Sequence, residues 1–279
     1  MIGLALVLLF SLACAPADEV VLCNGHFELC DRALDEVTLA GTHNSMSNTE
    51  AGWLPPYQQY GLTRQLEEGV RALMLDTYDD DGQPMLCHND CDLGSQLLSD
   101  GLTEIARFMD AHPHEVIFII FQDNLSVDDT VAVFEQVGLS ERVWAWDGVT
   151  TPLPTLGELV EQDTRLVVSA EASGPPPDWY HGAWELFFDT PYSFASVDEF
   201  ACTLNRGNSD NPLFLVNHWI SLPWPSEEEA SEVNLTSVLG DRARECADFW
   251  GRHVNFLAVD FYATGDLFSV VDELNGLSQ

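Results

Sequence analysis

Short runs of β-branched and apolar residues alternate with amphipathic stretches along almost the whole chain, and this rhythm limits the folds open to it. The runs occupy residues 37–41, 72–76, 116–121, 166–170, 185–188, 213–216 and 256–261. Most are apolar at nearly every position, as expected of parallel strands buried on both faces rather than strands with one wet face. Helical patterns fill the gaps at 63–68, 97–111, 128–137, 156–161, 227–250 and 266–274. In the second of these, Leu98, Leu102, Ile105 and Met109 form one apolar stripe at helical spacing. Such alternation predicts a barrel or a doubly wound sheet. No GxGxxG follows the first strand, which removes the main argument for dinucleotide binding. Polar residues stand where the runs end: His43 and Asn44, Asp76, Gln122 and Asp123, Glu171, Asn217 and His218, and Asp260. In a barrel these ends share one rim, where active sites form.

The chain has 279 residues, close to the roughly 250 that one (β/α)8 barrel takes. No linker, repeat or low-complexity tract divides it, so one domain is expected over residues 15–279. Residues 2–13 are an apolar run too short to span a bilayer, which needs about 20 residues. It fits the core of an export signal over residues 1–14. SLAC, ending at Cys14, resembles a lipoprotein cleavage box, although Ser11 stands where an aliphatic residue is usual. The expected product is secreted or anchored at the cell surface through a lipid on Cys14.

Cysteine usage agrees with export. With Cys14 set aside, six remain, and proximity pairs Cys23 with Cys30 and Cys87 with Cys91, leaving Cys202 with Cys246. No CxxC pair supports a zinc site. The formal charge of -36 comes from 46 acidic residues against ten basic ones, all Arg. That balance repels nucleic acid and leaves no basic patch to track a phosphate backbone. Contact with a membrane is expected only through a substrate or the anchor, and the barrel is expected to work as a monomer.

Two histidines follow strand-like runs: His43 in GTHNSMS and His88 in PMLCHNDC. A pair of imidazoles suits phosphodiester cleavage, one as base and one as acid near neutral pH. The segments AGTHNSMS, TRQLEEGVRALMLD, LCHNDC and HEVIFIIFQDN resemble successive motifs of the phosphatidylinositol-specific phospholipase C X-domain family. CNGHFELCDRALDEVTLAGTHNS and VNFLAVDFYATGDLF extend the resemblance, which is closest to the secreted bacterial and fungal branch. It implies a single distorted TIM (β/α)8-like barrel and a phosphoric diester hydrolase acting on a phospholipid or related phosphodiester. His43 is then the base and His88 the acid, with attack from a hydroxyl of the headgroup. The alternative is a non-catalytic surface protein that binds a lipid headgroup or glycan in a degenerate cleft. A glycerophosphodiester phosphodiesterase would want a different first motif and paired glutamates.

The resemblance also implies that Asn44 and Asp76 match two calcium ligands of metal-dependent members. Met74 occupies a third ligand position and Gln122 a fourth, so the site is expected to hold calcium weakly or not at all. Tyr78 stands where metal-free members carry an arginine. Arg71 is the candidate replacement for phosphate contact, although the GVR turn also suits a structural use. Asp260, on a last strand lying beside the first, is expected to orient His43. Glu171 and His218 are further candidates for substrate contact. Residues 79–82, DDDG, read as a hairpin turn. Trp219 and Trp224 read as core packing or an apolar rim.

Overall fold

The computed structural model describes residues 21–148 and 152–277. The export-signal segment and Cys14 lie outside them. Among the described residues no helix is long and apolar enough to cross a membrane.

Among the described residues ten strands form one sheet: β1 (Leu39–Thr42), β2 (Ala72–Asp80), β3 (Gln83–Cys87), β4 (Ser95–Leu97), β5 (Ile117–Asp123), β6 (Leu166–Ala170), β7 (Tyr180–Gly182), β8 (Phe187–Asp189), β9 (Leu213–His218) and β10 (Phe256–Val259). The order β7-β6-β5-β2-β1-β10-β9-β8 runs in parallel pairs throughout, while β3 and β4 extend β2 as an antiparallel flap. No ladder joins β7 to β8 among the described residues, so the sheet curls into a distorted (β/α) barrel with an open seam. The first and last of the predicted strands are neighbours, with Thr42 opposite Val259. Gly41 makes that approach possible: a Cβ there would meet the backbone of Leu257 and Ala258 at 3.3 Å.

Side chains alternate between two apolar layers, because successive residues of a strand face opposite sides. Leu39, Met74, Phe118, Ile120, Val167, Phe187, Leu215 and Phe256 fill the inside of the curl. Leu73, Leu75, Ile119, Phe121, Val168, Phe214 and Leu257 face the helices outside. Each fully buried side chain of this kind contributes about 1.5–3 kcal/mol. The predicted stripe of the helix Leu98–Ala111 is buried in the outer layer.

Several details differ from the sequence pattern. The run at 185–188 is split: residues Ala183–Leu186 form a single helical turn and β8 starts at Phe187. β7, only three residues long, has no periodicity to announce it. The helical pattern at 227–250 breaks into Glu227–Val233, a π-turn at Thr236–Gly240 and Asp241–Trp250. The break falls at Asn234, whose buried amide donates to the carbonyls of Asp260 and Thr264. Asn234 thereby leaves the helix to anchor the loop that follows β10. DDDG does form the β2–β3 turn, with Asp81 and Gly82 at φ 50° and 84° and Gly82 N–H donating to Asp79. All three disulfides join the expected partners: Cys23–Cys30, Cys87–Cys91 and Cys202–Cys246.

Candidate active site

The alternation that builds the inner apolar layer also aims polar groups into the mouth of the curl. His43 follows β1, Asp76 lies in β2, Gln122 in β5, and Glu171 and Asp260 directly follow β6 and β10; they share the inward parity of Leu39, Met74, Ile120, Val167 and Ala258 on the same strands. His88 arrives from β3. His43, Asn44, Asp76, His88, Gln122, Glu171, Arg206 and Trp219 line one pocket of about 150 Å³.

Each histidine is held by a carboxylate at the same ring atom. His43 Nδ1 lies 2.8 Å from Asp260 Oδ1, and His88 Nδ1 lies 2.6 Å from Asp76 Oδ2. Both carboxylates are buried, with side-chain exposures of 4% and 5%. Burial raises the Asp260 carboxyl above its ordinary range, and the neighbouring His43 opposes that shift. Such pairs fix ring orientation through Nδ1 and turn Nε2 toward the pocket, where that of His43 meets Asn44 and that of His88 meets Tyr57. Asn44, in the left-handed region at φ 45°, joins the two pairs. With its amide donating to both Asp76 oxygens at 3.2 Å, its own oxygen faces His43 Nε2 at 3.2 Å.

Two aromatic residues complete the setting. Trp219, two positions beyond the inward-facing Asn217, is buried and stacks on His43 with ring centroids 3.9 Å apart. Trp224, by contrast, is 68% exposed. The Tyr57 hydroxyl lies 3.1 Å from His88 Nε2, and its ring meets both imidazoles edge-on. Burial, with Asp260 and Asp76 nearby, pushes the Tyr57 hydroxyl up to about 12, so it stays protonated near neutrality.

Two expected substrate contacts stand elsewhere. Arg71 precedes β2 at the amino-terminal end of the barrel, the far side from the pocket. It donates to Glu115 at 2.6 Å and to the carbonyls of Leu66 and Val70, and it stacks on Phe108. His218 has the outward parity of β9. Its Nε2 donates to the Val233 carbonyl at 2.9 Å and its Nδ1 faces Arg242. Burial and the Arg242 charge push its imidazole down to about 3, so it is a neutral core group. Glu171 does line the pocket, paired at 2.9 Å with Arg206, a residue without a motif of its own.

The donor set around Asp76 does not suit calcium, which takes 6–8 oxygens, usually with several carboxylates. Asp76 already accepts from His88, Asn44 and Gln122 are neutral amides, and Met74 offers sulfur. No cluster of three His, Cys, Asp or Glu that could hold a metal occurs among the described residues.

A family model described as PI-PLC X matches residues 29–275. The chain is 28% identical to PI-PLC X domain-containing protein 1 of Arthroderma benhamiae, over 99% of this chain and 96% of that one. It is 26% identical to an uncharacterized secreted protein of the same fungus, over 92% of this chain and 64% of that protein. Among solved structures, the phosphatidylinositol-specific phospholipase C of Listeria monocytogenes superposes with a TM-score of 0.62 at 18% identity, covering 90% of this chain and 98% of that one. The Staphylococcus aureus enzyme, as its F249X mutant, gives 0.62 at 14% identity over 89% and 95%.

Proposed function

Because this chain belongs to the PI-PLC X domain family, we propose that it is a phosphoric diester hydrolase that cleaves a phospholipid or related phosphodiester between His43 and His88. The observation that carries this proposal is the pair of matched His–Asp dyads facing one pocket, His43 on Asp260 and His88 on Asp76. In the direct scheme, an attacking hydroxyl on the substrate headgroup displaces the Asn44 oxygen from His43 Nε2, and the neutral ring takes its proton at that nitrogen. The new P–O bond forms as the bond to the lipid-side oxygen breaks, and His88 protonates that departing alkoxide. Asp260 and Asp76 hold the rings and stabilise whichever is protonated. A later water reverses the two roles to open a cyclic product. No step is assigned to calcium, for the donor-set reason above. The apolar run at residues 2–13 and the secreted relative support an exported protein, and SLAC ending at Cys14 supports a lipid anchor there.

Turnover of phosphatidylinositol, other phospholipids and a chromogenic phosphodiester tests the proposal. His43→Ala and His88→Ala are each expected to lower kcat by about 10²–10⁴ with circular dichroism unchanged. No turnover of any diester by the intact protein, with the fold verified, would favour the binding-protein alternative.

A further inference from the structure

Phosphodiester cleavage also needs a positive charge or donor set at the phosphate, and the displaced Arg71 does not supply it. We propose that Arg206 is the phosphate-receiving group of the pocket, and that Glu171 is a carboxylate cap which the substrate displaces from it; this rests on the phosphodiesterase reading above.

The chain contains no lysine, and Arg206 is the one arginine lining the pocket among the described residues. Its guanidinium is fixed before any ligand arrives. From behind, Asp189 accepts from Nε at 2.9 Å and from Nη2 at 2.6 Å. Asp189 has a side-chain exposure of 0% and is itself held by the amides of Asn205 and Asn217 and by the Arg206 N–H. Trp184 covers the guanidinium at 3.9 Å, and Tyr192 lies at 4.6 Å. The adjoining Gly207, at φ 77°, lets this turn lie on β8, where a Cβ would strike the Phe187 carbonyl. A guanidinium has five N–H donors. Three are engaged by Asp189 and Glu171, which leaves one each on Nη1 and Nη2 for a ligand.

The cap differs from the backing. Glu171 touches Arg206 through a single 2.9 Å bond and lies at the pocket wall. Burial and the charges of Asp76 and Asp189 raise its carboxyl above the ordinary range even with Arg206 beside it. One guanidinium between two carboxylates leaves an excess negative charge. An incoming phosphate monoanion can take the Glu171 position on Nη1, and a Glu171 that protonates on release carries no repulsive charge. A clasp across the open seam between β7 and β8 is the purely structural alternative, since Glu171 follows β6 and Asp189 ends β8.

Inorganic phosphate is the probe, with binding read by calorimetry and inhibition read against a chromogenic phosphodiester. Arg206→Gln is expected to weaken phosphate binding at least about tenfold, with Arg206→Lys intermediate. Glu171→Gln is expected to tighten it severalfold, because the competing charge is gone. A clasp predicts the opposite for Glu171→Gln: a lower melting temperature and no tighter binding. Unchanged phosphate affinity in folded Arg206→Gln, or no phosphate binding by the wild-type protein at tens of millimolar, overturns the proposal. Phosphate binding that depends on Arg206 in a protein that turns over no diester would uphold this site while removing the hydrolase reading.

Discussion

The indole of Trp219 lies flat on the imidazole of His43, with ring planes 4° apart. With Asp260 at Nδ1, the imidazole proposed as the base is held both in its plane and across its face. The stack also shields one side of the ring from water, and a flat π-surface favours the protonated imidazole that forms as the base takes its proton. Trp219→Phe keeps a smaller ring and removes an indole N–H that is buried without a partner, so its stability loss is expected to be modest. Its kcat is expected to fall about tenfold with KM little changed. An unchanged kcat in the folded variant would show the stack to be packing alone.

Tyr57 occupies the ring nitrogen of His88 that the proposed acid step requires. Asp76 engages Nδ1, and the protonated Tyr57 hydroxyl donates to Nε2, the atom needed to protonate a leaving group. Without the hydroxyl Nε2 is open to a leaving group, so kcat of Tyr57→Phe is expected to change more on an alkyl than on a nitrophenyl phosphodiester, whose leaving group needs little protonation. Measuring kcat of both proteins on both substrates checks this. An equal change on the two substrates, or none, removes Tyr57 from the acid side of the proposed reaction.

The Cys87–Cys91 disulfide brackets His88. Its ring encloses only three other residues, His88, Asn89 and Asp90, with Asn89 at φ 61°. Cys202–Cys246 instead ties a distant loop to Asp241–Trp250. Replacing both Cys87 and Cys91 by Ser is expected to lower kcat about tenfold, since His88 loses its tether. Replacing Cys202 and Cys246 is expected to lower stability, by about 2–5 kcal/mol, while kcat of the folded fraction holds. Paired thermal melts and kinetics decide; equal effects of both pairs on kcat would contradict a local role at His88.

His43, Asp76, Glu171 and Asp260 were legible in the sequence because each follows or ends an apolar run, and strand parity aims such residues inward. The same parity, applied strictly, excludes His218 and selects Trp219: Leu213 and Leu215 face inward, so Asn217 and Trp219 do also. Arg71 fails for a related reason, as it stands before its strand rather than after it. Tyr57 and Arg206 had no such signal. Tyr57 reaches His88 through the loop after β1, and Arg206 reaches the pocket through the turn on β8. Their positions depend on contacts between segments far apart in the chain. The break at Asn234 was hidden likewise, because its partners are the carbonyls after β10.

Calcium provides the last test, because the dyads and a metal compete for the same carboxylate. A calcium ion on Asp76 would need oxygen lone pairs that now accept from His88 Nδ1 and from the Asn44 amide. Taking them would loosen the His88 ring. The remaining donors nearby are Gln122, a neutral amide, and Met74, a thioether; neither offers the full charge that dominates the attraction of a hard cation. The acidic surface, with a formal charge of -36, raises the local cation concentration, an effect that salt removes. Full turnover in chelator is therefore expected. Added calcium should act only in the range of roughly 10⁻⁴–10⁻³ M or above, and through the surface, so that any effect fades with added sodium chloride. Half-maximal activation at micromolar calcium, insensitive to salt, would show that the Asp76 carboxylate leaves His88 for a metal and that the His88 ring is held in another way.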